Sequence, residues 1–498
     1  MAVYTAPDVY IESIRSGNQS VATISNSVGA MVGLTKNGRR DIAQKVNSWK
    51  QYVQLYANGL ETPYMEDSFL AYSVYGFFIN GGKELYIASA EASDDNNAVS
   101  AKGKGTAFSA VASSDGDWGN DLSIIVTKNA DWSEGTPNAE NPSQMDGVNL
   151  VYDFKISIKG GATTTVEAVT VDNLEDRILN DPIAGEWFES VTNEVNGGTN
   201  EKVALVEETV TLSGGVDGTT SVKSSDYLEA LTMFDPFVDE ITMISIPGIS
   251  NTEVHNGVIS YAKKHHIFPV LSFPQSTTVE EAKELRKNIK DAEYGAVAYP
   301  WGIISDPLTN RDKVIPPEGY YMGVCARIIE SRGAWKAPAG TEAGIVGFNE
   351  MEIDISRDDC GILNPCGIVC LMTRKNYGLC VWGARGIQDE DPKMKYVSDH
   401  FLNIKIRKEL YANTLYAVFE PNPEVRASLR TICKNYMLKL AEQGAFVSKE
   451  EGTGWFIVCD DSNNSQEDID EGMLYIDAGY APVKPAEFVV IRLAHSMD

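Results

Sequence analysis

The feature that most restricts the fold of this 498-residue chain is an alternation of strands and helices between Asp226 and Ala334. The sequence there predicts a strand in EITMISIPG, a helix in VHNGVISYAKKHH, a second strand in IFPVLSFP and a second helix in TTVEEAKELRKNIK. Thr278 and Glu281 are spaced as a capping box at the start of the second helix. Two β-α units in series predict a parallel sheet, and so an α/β domain.

Residues 92–223 have a different pattern. The segment VNLVYDFKISIKGG alternates apolar and polar residues with period two, and TTTVEAVTV and EKVALVEETVTL are β-branched runs bounded by turn residues. This block predicts an all-β insertion. The preceding residues 21–91 mix short apolar runs with a helical pattern around Ser68–Ile79, which indicates α/β structure.

The sequence near the C-terminus predicts a helix of about twenty residues. Asn422 and Pro423 suit its N-cap and first position, and Gly444 suits its end. Its apolar stripe consists of Leu429, Ile432, Cys433, Tyr436 and Leu440. Strand candidates follow at 454–459 and 472–480, and then an apolar run, EFVVIRLA, with no return partner. A strand of this kind gains backbone hydrogen bonds by joining the edge of another sheet.

Composition excludes several classes of protein. The chain has 42 basic and 70 acidic residues, a formal charge of −28, which repels a phosphate backbone and argues against direct nucleic-acid binding. No window approaches the roughly 20 consecutive apolar residues of a membrane-spanning helix, and the start lacks the pattern of a signal peptide. A chain of this length exceeds one hydrophobic core, so we expect several domains.

Candidate chemical groups do not form a recognisable site. The histidines are His255, His265, His266, His400 and His495; none has a nucleophile context, and the sequence contains no GxSxG elbow. Cys360, Cys366, Cys370 and Cys380 are not spaced as paired zinc ligands, which favours buried reduced thiols over a metal site. The acidic run 460–470 lacks the glycine and closing glutamate of an EF-hand, which favours a solvated loop over a calcium site. We therefore expect no catalytic residue, cofactor or metal.

Several blocks resemble tail sheath proteins of contractile phages and R-type bacteriocins. The opening APDVYIESIRSGNQSVATISNSVGAMVG is similar to the start of that family, and SFLAYSVYGFFINGGKELYIASA to its first domain. The blocks ISIPGIS, PVLSFP and GAVAYPWG resemble its subtilisin-like domain, and RGAWKAPAG its domain junction. LYAVFEPN and the stretch from WFIVCDD to VVIRLA resemble its C-terminal domain.

The resemblance implies a multidomain chain of α/β and β domains. The expected parts are an N-terminal arm (1–20), a first part of the core (21–91), a β-rich insertion (92–223), a subtilisin-like α/β domain (224–338), a C-terminal core domain (339–485) and a C-terminal arm strand (486–498). The core domain is expected to combine both chain ends. The implied function is that of a structural, non-enzymatic sheath subunit that polymerises around a tube and contracts.

The implied partners are other copies of the chain in a helical homo-oligomer, an inner tail tube protein, and baseplate and tail terminator proteins. The expected location is a virion tail or contractile particle assembled in the bacterial host cytoplasm. The inter-subunit residues would lie in the two arms, with linkers near 16–20 and 481–485 as hinges; they are Val9, Tyr10, Ile11, Phe488, Val489, Val490 and Ile491.

A basic stripe is the candidate tube contact. Arg426, Arg430 and Lys434 recur every four residues on the predicted C-terminal helix, and could grip an acidic tube or form a solvated helix face. Two other classes of protein stay open. One is a subtilisin-like hydrolase; the other is a β-rich adhesive protein whose binding platforms would be Trp118, Trp132 and Trp187.

Overall fold

The computed structural model describes a mixed α/β chain. Its described residues are 25–38, 41–57, 62–92, 99–137, 145–159, 162–196, 201–216, 222–289, 295–387, 392–420 and 424–492. The strands are β1 (Gly29–Gly33), β2 (Gln44–Val46), β3 (Leu85–Ser89), β4 (Ser100–Lys104), β5 (Phe108–Asp115), β6 (Leu122–Lys128), β7 (Ser133–Pro137), β8 (Met145–Asn149), β9 (Tyr152–Ile158), β10 (Thr163–Val169), β11 (Phe188–Asn193), β12 (Glu208–Thr211), β13 (Met243–Ser245), β14 (Phe268–Ser272), β15 (Ala296–Tyr299), β16 (Gly302–Ser305), β17 (Asp312–Ile315), β18 (Glu350–Met351), β19 (Ile368–Arg374), β20 (Gly378–Val381), β21 (Trp455–Val458) and β22 (Asp477–Tyr480). The α-helices are α1 (Trp49–Tyr56), α2 (Leu70–Ile79), α3 (Leu174–Leu179), α4 (Ser224–Ala230), α5 (Thr252–His265), α6 (Val279–Arg286), α7 (Glu318–Arg332), α8 (Arg357–Leu363), α9 (Val397–Thr414), α10 (Glu424–Glu442) and α11 (Gln466–Asp470).

Contacts divide the chain into two compact units. One contains residues 25–405 together with the described part of 484–498, and the other contains residues 406–483. The first unit is built on an eight-stranded sheet in the order β2-β3-β1-β13-β14-β15-β19-β20. Strands β3 to β19 are parallel, and β2 and β20 join antiparallel at the edges. The predicted parallel α/β sheet is therefore confirmed.

Helices cover both faces of this sheet, which is why its strands read as continuous apolar runs. All five residues of β1, β3 and β14 are buried. Phe77 of α2 and Tyr320 of α7 belong to the core on one face, and Val258 of α5 and Ala282 of α6 to the core on the other. The predicted capping box is present at the start of α6, where the Thr278 hydroxyl accepts from the Glu281 backbone N–H.

Two predicted domain boundaries are wrong. Residues 25–91 were expected to share a core with the C-terminal chain end, but β1 pairs with β13 in the α/β sheet, with Ala30 opposite Ile244. The expected boundary at 338/339 also fails, because β19 pairs with β15 and places Val369 opposite Ala298. The sequence of a strand that is buried on both faces reveals its burial. It does not reveal which distant strand pairs with it.

Strands β4–β12 form sheets of their own, in the orders β10-β9-β6-β12, β11-β5-β4 and β7-β8. The alternation in β9 places Tyr152, Phe154, Ile156 and Ile158 in a separate core. Trp118 and Trp187 also belong to this core and are each 4% exposed, so these two residues cannot act as adhesive platforms. Trp132 is partly buried, and the Lys128 ammonium lies 3.4 Å from its ring centroid.

The unit of residues 406–483 combines α10 with an antiparallel hairpin, β21–β22. The predicted helix is confirmed. Four of the five residues of its apolar stripe, Leu429, Cys433, Tyr436 and Leu440, are each at most 2% exposed, whereas Ile432 is only partly buried. Gly444 follows its end with φ of 88°, a conformation that suits glycine. The predicted cap, Asn422 and Pro423, lies outside the described residues.

Candidate assembly interface

The C-terminal arm presents four consecutive apolar side chains to solvent. Phe488, Val489, Val490 and Ile491 are 74%, 80%, 78% and 79% exposed, and they belong to no strand of this chain. Burial of a side chain of this kind contributes about 1.5–3 kcal/mol. A contiguous apolar run left in water at this cost indicates a surface that a partner covers. The N-terminal arm residues Val9, Tyr10 and Ile11 lie outside the described residues.

The hairpin β21–β22 offers two edges of the kind that such an arm could join. Within the described residues it forms a two-stranded sheet, so each strand is hydrogen-bonded along one side. Trp455 and Ile457 point into the unit and are 5% and 2% exposed, whereas Phe456 is 45% exposed. A two-stranded sheet is marginal by itself, and further strands would complete it.

The segment before the arm makes contacts within each unit, and the predicted hinge at 481–485 stays a prediction. The Ala481 N–H donates to the Gly454 carbonyl at 2.8 Å, and the Val483 N–H donates to the Ala445 carbonyl at 3.1 Å. Lys484 forms an ion pair with Asp399. The other predicted hinge, residues 16–20, lies outside the described residues.

Glu487, the last residue before the apolar run, is also bound to the protein. Its carboxylate pairs with the Arg385 guanidinium at 2.7 Å, and the two side chains are 17% and 14% exposed. Burial alone would raise the pKa of Glu487, but hydrogen bonds from Arg385 and Asn364 outweigh it and hold this pKa below its usual value. The carboxylate is therefore charged at neutral pH. The sequence showed only a glutamate before an apolar run and did not reveal this partner.

The predicted basic stripe lies on α10, but each of its cations has a carboxylate partner in the same unit. Arg426 pairs with Asp461 at 2.7 Å, Arg430 with Asp460 at 3.3 Å, and Lys434 with Glu451 at 2.7 Å. Arg426 is only 16% exposed. The stripe is thus partly compensated within the chain, and a contact with an acidic tube stays a prediction.

The acidic loop and the cysteines have ordinary structural roles. Asp468 caps α11 together with Ser465, while Asp460 and Asp461 pair with the arginines of α10. Of the cysteines, Cys360, Cys370 and Cys380 are buried, and Cys366 is partly exposed. Capping and ion pairing thus account for Asp460, Asp461 and Asp468, and core packing accounts for the three buried cysteines.

The crevice at the carboxyl ends of the parallel strands is filled by the chain itself. In α/β sheets, ligands bind where neighbouring strands continue in opposite directions, and here that point lies between β1 and β13. The Glu318 carboxylate lies next to this point, at the carboxyl ends of β13 and β14, where it accepts from the Gly248 N–H at 3.1 Å and from the Ser272 hydroxyl at 2.7 Å. The Phe69 ring packs against Gly248. Burial raises the pKa of Glu318 to about 7. No sequence motif pointed to this group.

A hydrolase arrangement is not assembled beside this crevice. A small surface pocket near the carboxyl end of β14 is lined by His255, Phe273 and Pro274 among others. Burial lowers the pKa of His255 to about 4, so it is neutral at pH 7, and its ring bonds to the Ser272 backbone. The Ser272 hydroxyl is turned towards Glu318 instead. His255 and Ser272 therefore do not form the nucleophile–base pair of a serine hydrolase.

Within the described residues, no helix has the length and apolar character needed to cross a bilayer. Residues 220–387 match the family model described as "Phage tail sheath protein central domain". The tail sheath protein of Escherichia phage P2 is 25% identical over 308 residues, which are 59% of this chain and 73% of the phage protein. Residues 220–387 thus resemble the central domain of phage tail sheath proteins, and the chain is similar to contractile tail sheath proteins.

Solved sheath structures share the fold of this chain over its whole length. The sheath of an extracellular contractile injection system, PVC, in the contracted state has a TM-score of 0.61 and 20% identity, covering 100% of this chain and 99% of that chain. The helical sheath of the anti-feeding prophage in the contracted state has a TM-score of 0.60 and 18% identity, covering 99% and 100%. At these identities, the likeness establishes a common fold.

Proposed function

We propose that this chain polymerises as a helical homo-oligomer around an inner tail tube and contracts to drive that tube through a target cell envelope. The observation that carries the proposal is the exposed apolar arm, Phe488–Ile491, in a chain similar to sheath proteins. Baseplate and tail terminator proteins would bind the two ends of the polymer. The particle would be a phage tail or a related contractile device assembled in the host cytoplasm.

The arm of one subunit would add a strand to the hairpin of another. The apolar run has four residues, and β21 and β22 have four residues each, so the lengths match for β-augmentation. Backbone hydrogen bonds would supply affinity, and alternate apolar side chains would be buried. The N-terminal arm, with Val9, Tyr10 and Ile11, would serve the second edge. Subunits joined in this way form a mesh.

Contraction would rearrange subunits as rigid bodies while the strand pairings persist. The extended sheath would be the less stable state, assembled on the tube and baseplate, and its release at one end would propagate through the mesh. This requires arms that remain paired during rotation, which main-chain pairing provides because it does not depend on how the rest of the subunit packs.

We infer a non-enzymatic role. The ends of the parallel strands support it, because the Glu318 carboxylate and the Phe69 ring both pack against Gly248 after β13, on the side of the sheet where α/β enzymes bind ligands. The subtilisin-like character of the α/β domain stays part of this proposal, as an architectural likeness without hydrolytic chemistry. A fluorophosphonate probe should therefore label neither the subunit nor the polymer.

Truncation of the arm tests the proposed mode of assembly. A chain that ends at Glu487 keeps the anchored residues and loses the apolar run, so it should stay soluble and fail to form tubes in negative-stain microscopy. The full-length chain, purified in parallel without nucleotide or metal, should form helical tubes or stacked rings. A matched control replaces Val148 and Leu150, exposed apolar residues of the β-rich insertion, with Ser, and it should assemble normally. Tubes formed by the truncated chain would refute the mechanism.

A further inference from the structure

Residues 484–487 form the root of the C-terminal arm. Two oppositely charged side chains of this root, Lys484 and Glu487, bind it to the α/β unit. The Lys484 ammonium lies 2.7 Å from the Asp399 carboxylate, which is 1% exposed. The same ammonium donates to the Lys393 backbone carbonyl. Because Asp399 is buried, this pair is less screened by solvent than a surface ion pair. This ion pair is the first attachment of the root to the α/β unit.

Glu487 provides the second and stronger attachment of the root to the α/β unit. The Arg385 Nε atom lies 2.8 and 3.1 Å from the two carboxylate oxygens, and its terminal nitrogen lies 2.7 Å from Oε2. The Tyr396 hydroxyl donates to Oε2 at 3.2 Å, and the Asn364 amide donates to Oε1. Side chains that are 91 to 123 residues away in sequence therefore meet on one carboxylate. A guanidinium fork fixes the orientation of a carboxylate as well as its position.

The anchoring stops abruptly after Glu487. Glu487 is 17% exposed on its side chain, whereas Val489 is 80% exposed. The Phe488 ring centroid lies 6.0 Å from the Arg385 guanidinium, so the arm begins directly above the fork. The boundary between bound and free chain thus falls at one residue. This arrangement holds the root of the arm while it leaves the apolar run available.

We propose that Arg385, together with Asn364 and Tyr396, forms a carboxylate clamp that positions the C-terminal arm for donation to another subunit. The proposal rests on the proposed function, since it concerns the arm used in assembly. Arg385 acts as a positioning residue: it does not touch the receiving sheet, but sets the point from which Phe488–Ile491 extends.

The clamp raises the rate and affinity of strand donation, because it reduces the conformational entropy that the arm loses on binding. A free root samples many directions, so fewer arms point at a receiving edge, and ordering them costs conformational entropy. Fixing the root raises the effective concentration of the arm at an edge within reach. It also transmits force, because a pull on the donated strand acts on the α/β unit through Arg385 and Asp399.

Proteolysis of the unassembled subunit measures the state of the clamp. A glutamate-specific protease cleaves after Glu487 only when this side chain is released. In Arg385→Ala, the fragment beginning at Phe488 should appear about tenfold faster than in the parent chain, the change expected for loss of one charged hydrogen bond. Arg332→Ala removes an exposed arginine that pairs with Glu342 in the same unit, and it should leave the rate unchanged.

Assembly is then compared between the parent chain and variants that fold as it does. Arg385→Ala should raise the protein concentration needed for tube formation about tenfold, with the circular dichroism spectrum preserved. Combining Arg385→Glu with Glu487→Arg should restore assembly, because the swapped pair recreates the clamp. If Arg385→Ala misfolds, Glu487→Gln weakens the clamp from the arm side, and faster hydrogen exchange of residues 484–492 replaces the protease readout.

The outcomes separate this inference from the proposed function. An unchanged cleavage or exchange rate would overturn the clamp. A faster rate with unchanged tube formation would overturn its positioning role, although the sheath function would stand. If the chain truncated at Glu487 also forms tubes, the arm mechanism itself fails, whatever Arg385 does.

Discussion

At the residue scale, Glu318 shows how a carboxyl group can be kept inside an α/β core. It is 2% exposed and accepts hydrogen bonds from the Ser272 hydroxyl and the Gly248 N–H, both on Oε1. Its second oxygen, Oε2, has no partner among the described residues. Burial raises its pKa to about 7 from an ordinary value of 4.5. The folded chain therefore retains a proton that the unfolded chain releases between these pH values.

This difference predicts that Glu318 makes stability fall with rising pH. Because the folded-state pKa is raised, its favourable contribution is complete below pH 4.5 and is lost as pH rises through 7. The loss amounts to about 3 kcal/mol at most. We expect Glu318→Gln to raise the thermal unfolding midpoint of the arm-truncated subunit at pH 8, and to change it little at pH 5.

The arm-truncated subunit is used because polymerisation would add to apparent stability. The control is Glu350→Gln, which alters an exposed carboxylate of the same unit. If the parent chain and Glu318→Gln show the same dependence on pH, the buried carboxyl is not the source of it.

At the element scale, the basic stripe on α10 is better tested by neutralising its three cations than by reversing their charge. Reversing Arg426, Arg430 and Lys434 to Glu would place like charges beside Asp461, Asp460 and Glu451, and loss of assembly would then have two causes. Replacing the three cations with Gln removes their charge without that repulsion. Ion pairs of this exposure contribute about 0.2–1 kcal/mol each, so the fold should survive.

If the stripe binds an acidic tube, neutralising its cations and neutralising their carboxylate partners should have opposite effects on assembly. The Gln variant should reduce tube-templated assembly, and Asp460→Asn with Asp461→Asn should increase it, because the arginines are then free to bind an acidic tube. Both effects should shrink at high salt. Assembly is followed by light scattering with the purified tube protein, and assembly in its absence is the control. Equal assembly of all variants would assign the stripe to the fold alone.

Local and distant interactions differ in what the sequence reveals about such elements. The capping box of Thr278 and Glu281 was predictable, because both residues lie within one helical turn. The apolar run 488–491 is visible in the sequence for a similar reason, and its pairing as a strand stays a prediction. Asp461, the partner of Arg426, lies 35 residues away, and Arg385, the partner of Glu487, lies 102 residues away. Pairs at such distances follow from the fold, and no local pattern specifies them.

The same reasoning explains the misplaced domain boundaries. The sequence shows apolar runs at β1 and β19, but each of these strands pairs with a strand beyond the predicted domain in which it lies. The family resemblance predicted the function, although it did not show that the α/β sheet takes strands from residues 25–91 and 339–405. The filling of the crevice by Glu318 likewise depends on α7 meeting β14, which only the fold brings about.

At the scale of the whole molecule, charge and arms act in opposite directions. The chain carries a formal −28, and like-charged subunits repel each other in solution. In the proposed assembly, the arm would supply a directed attraction that acts only when an apolar strand reaches a free edge. Subunits should therefore remain dispersed until a template brings them close, after which strand pairing holds them in a continuous lattice.

The most direct test of this account is to identify the edge that receives the arm. A photo-reactive phenylalanine at position 488 is introduced into the chain, and subunits labelled with light and heavy nitrogen are mixed before assembly and irradiation. We predict cross-linked peptides of mixed isotope content that join position 488 to residues 455–458 or 477–480. Cross-links found only within one subunit, or only to other surfaces in assembled tubes, would contradict the account.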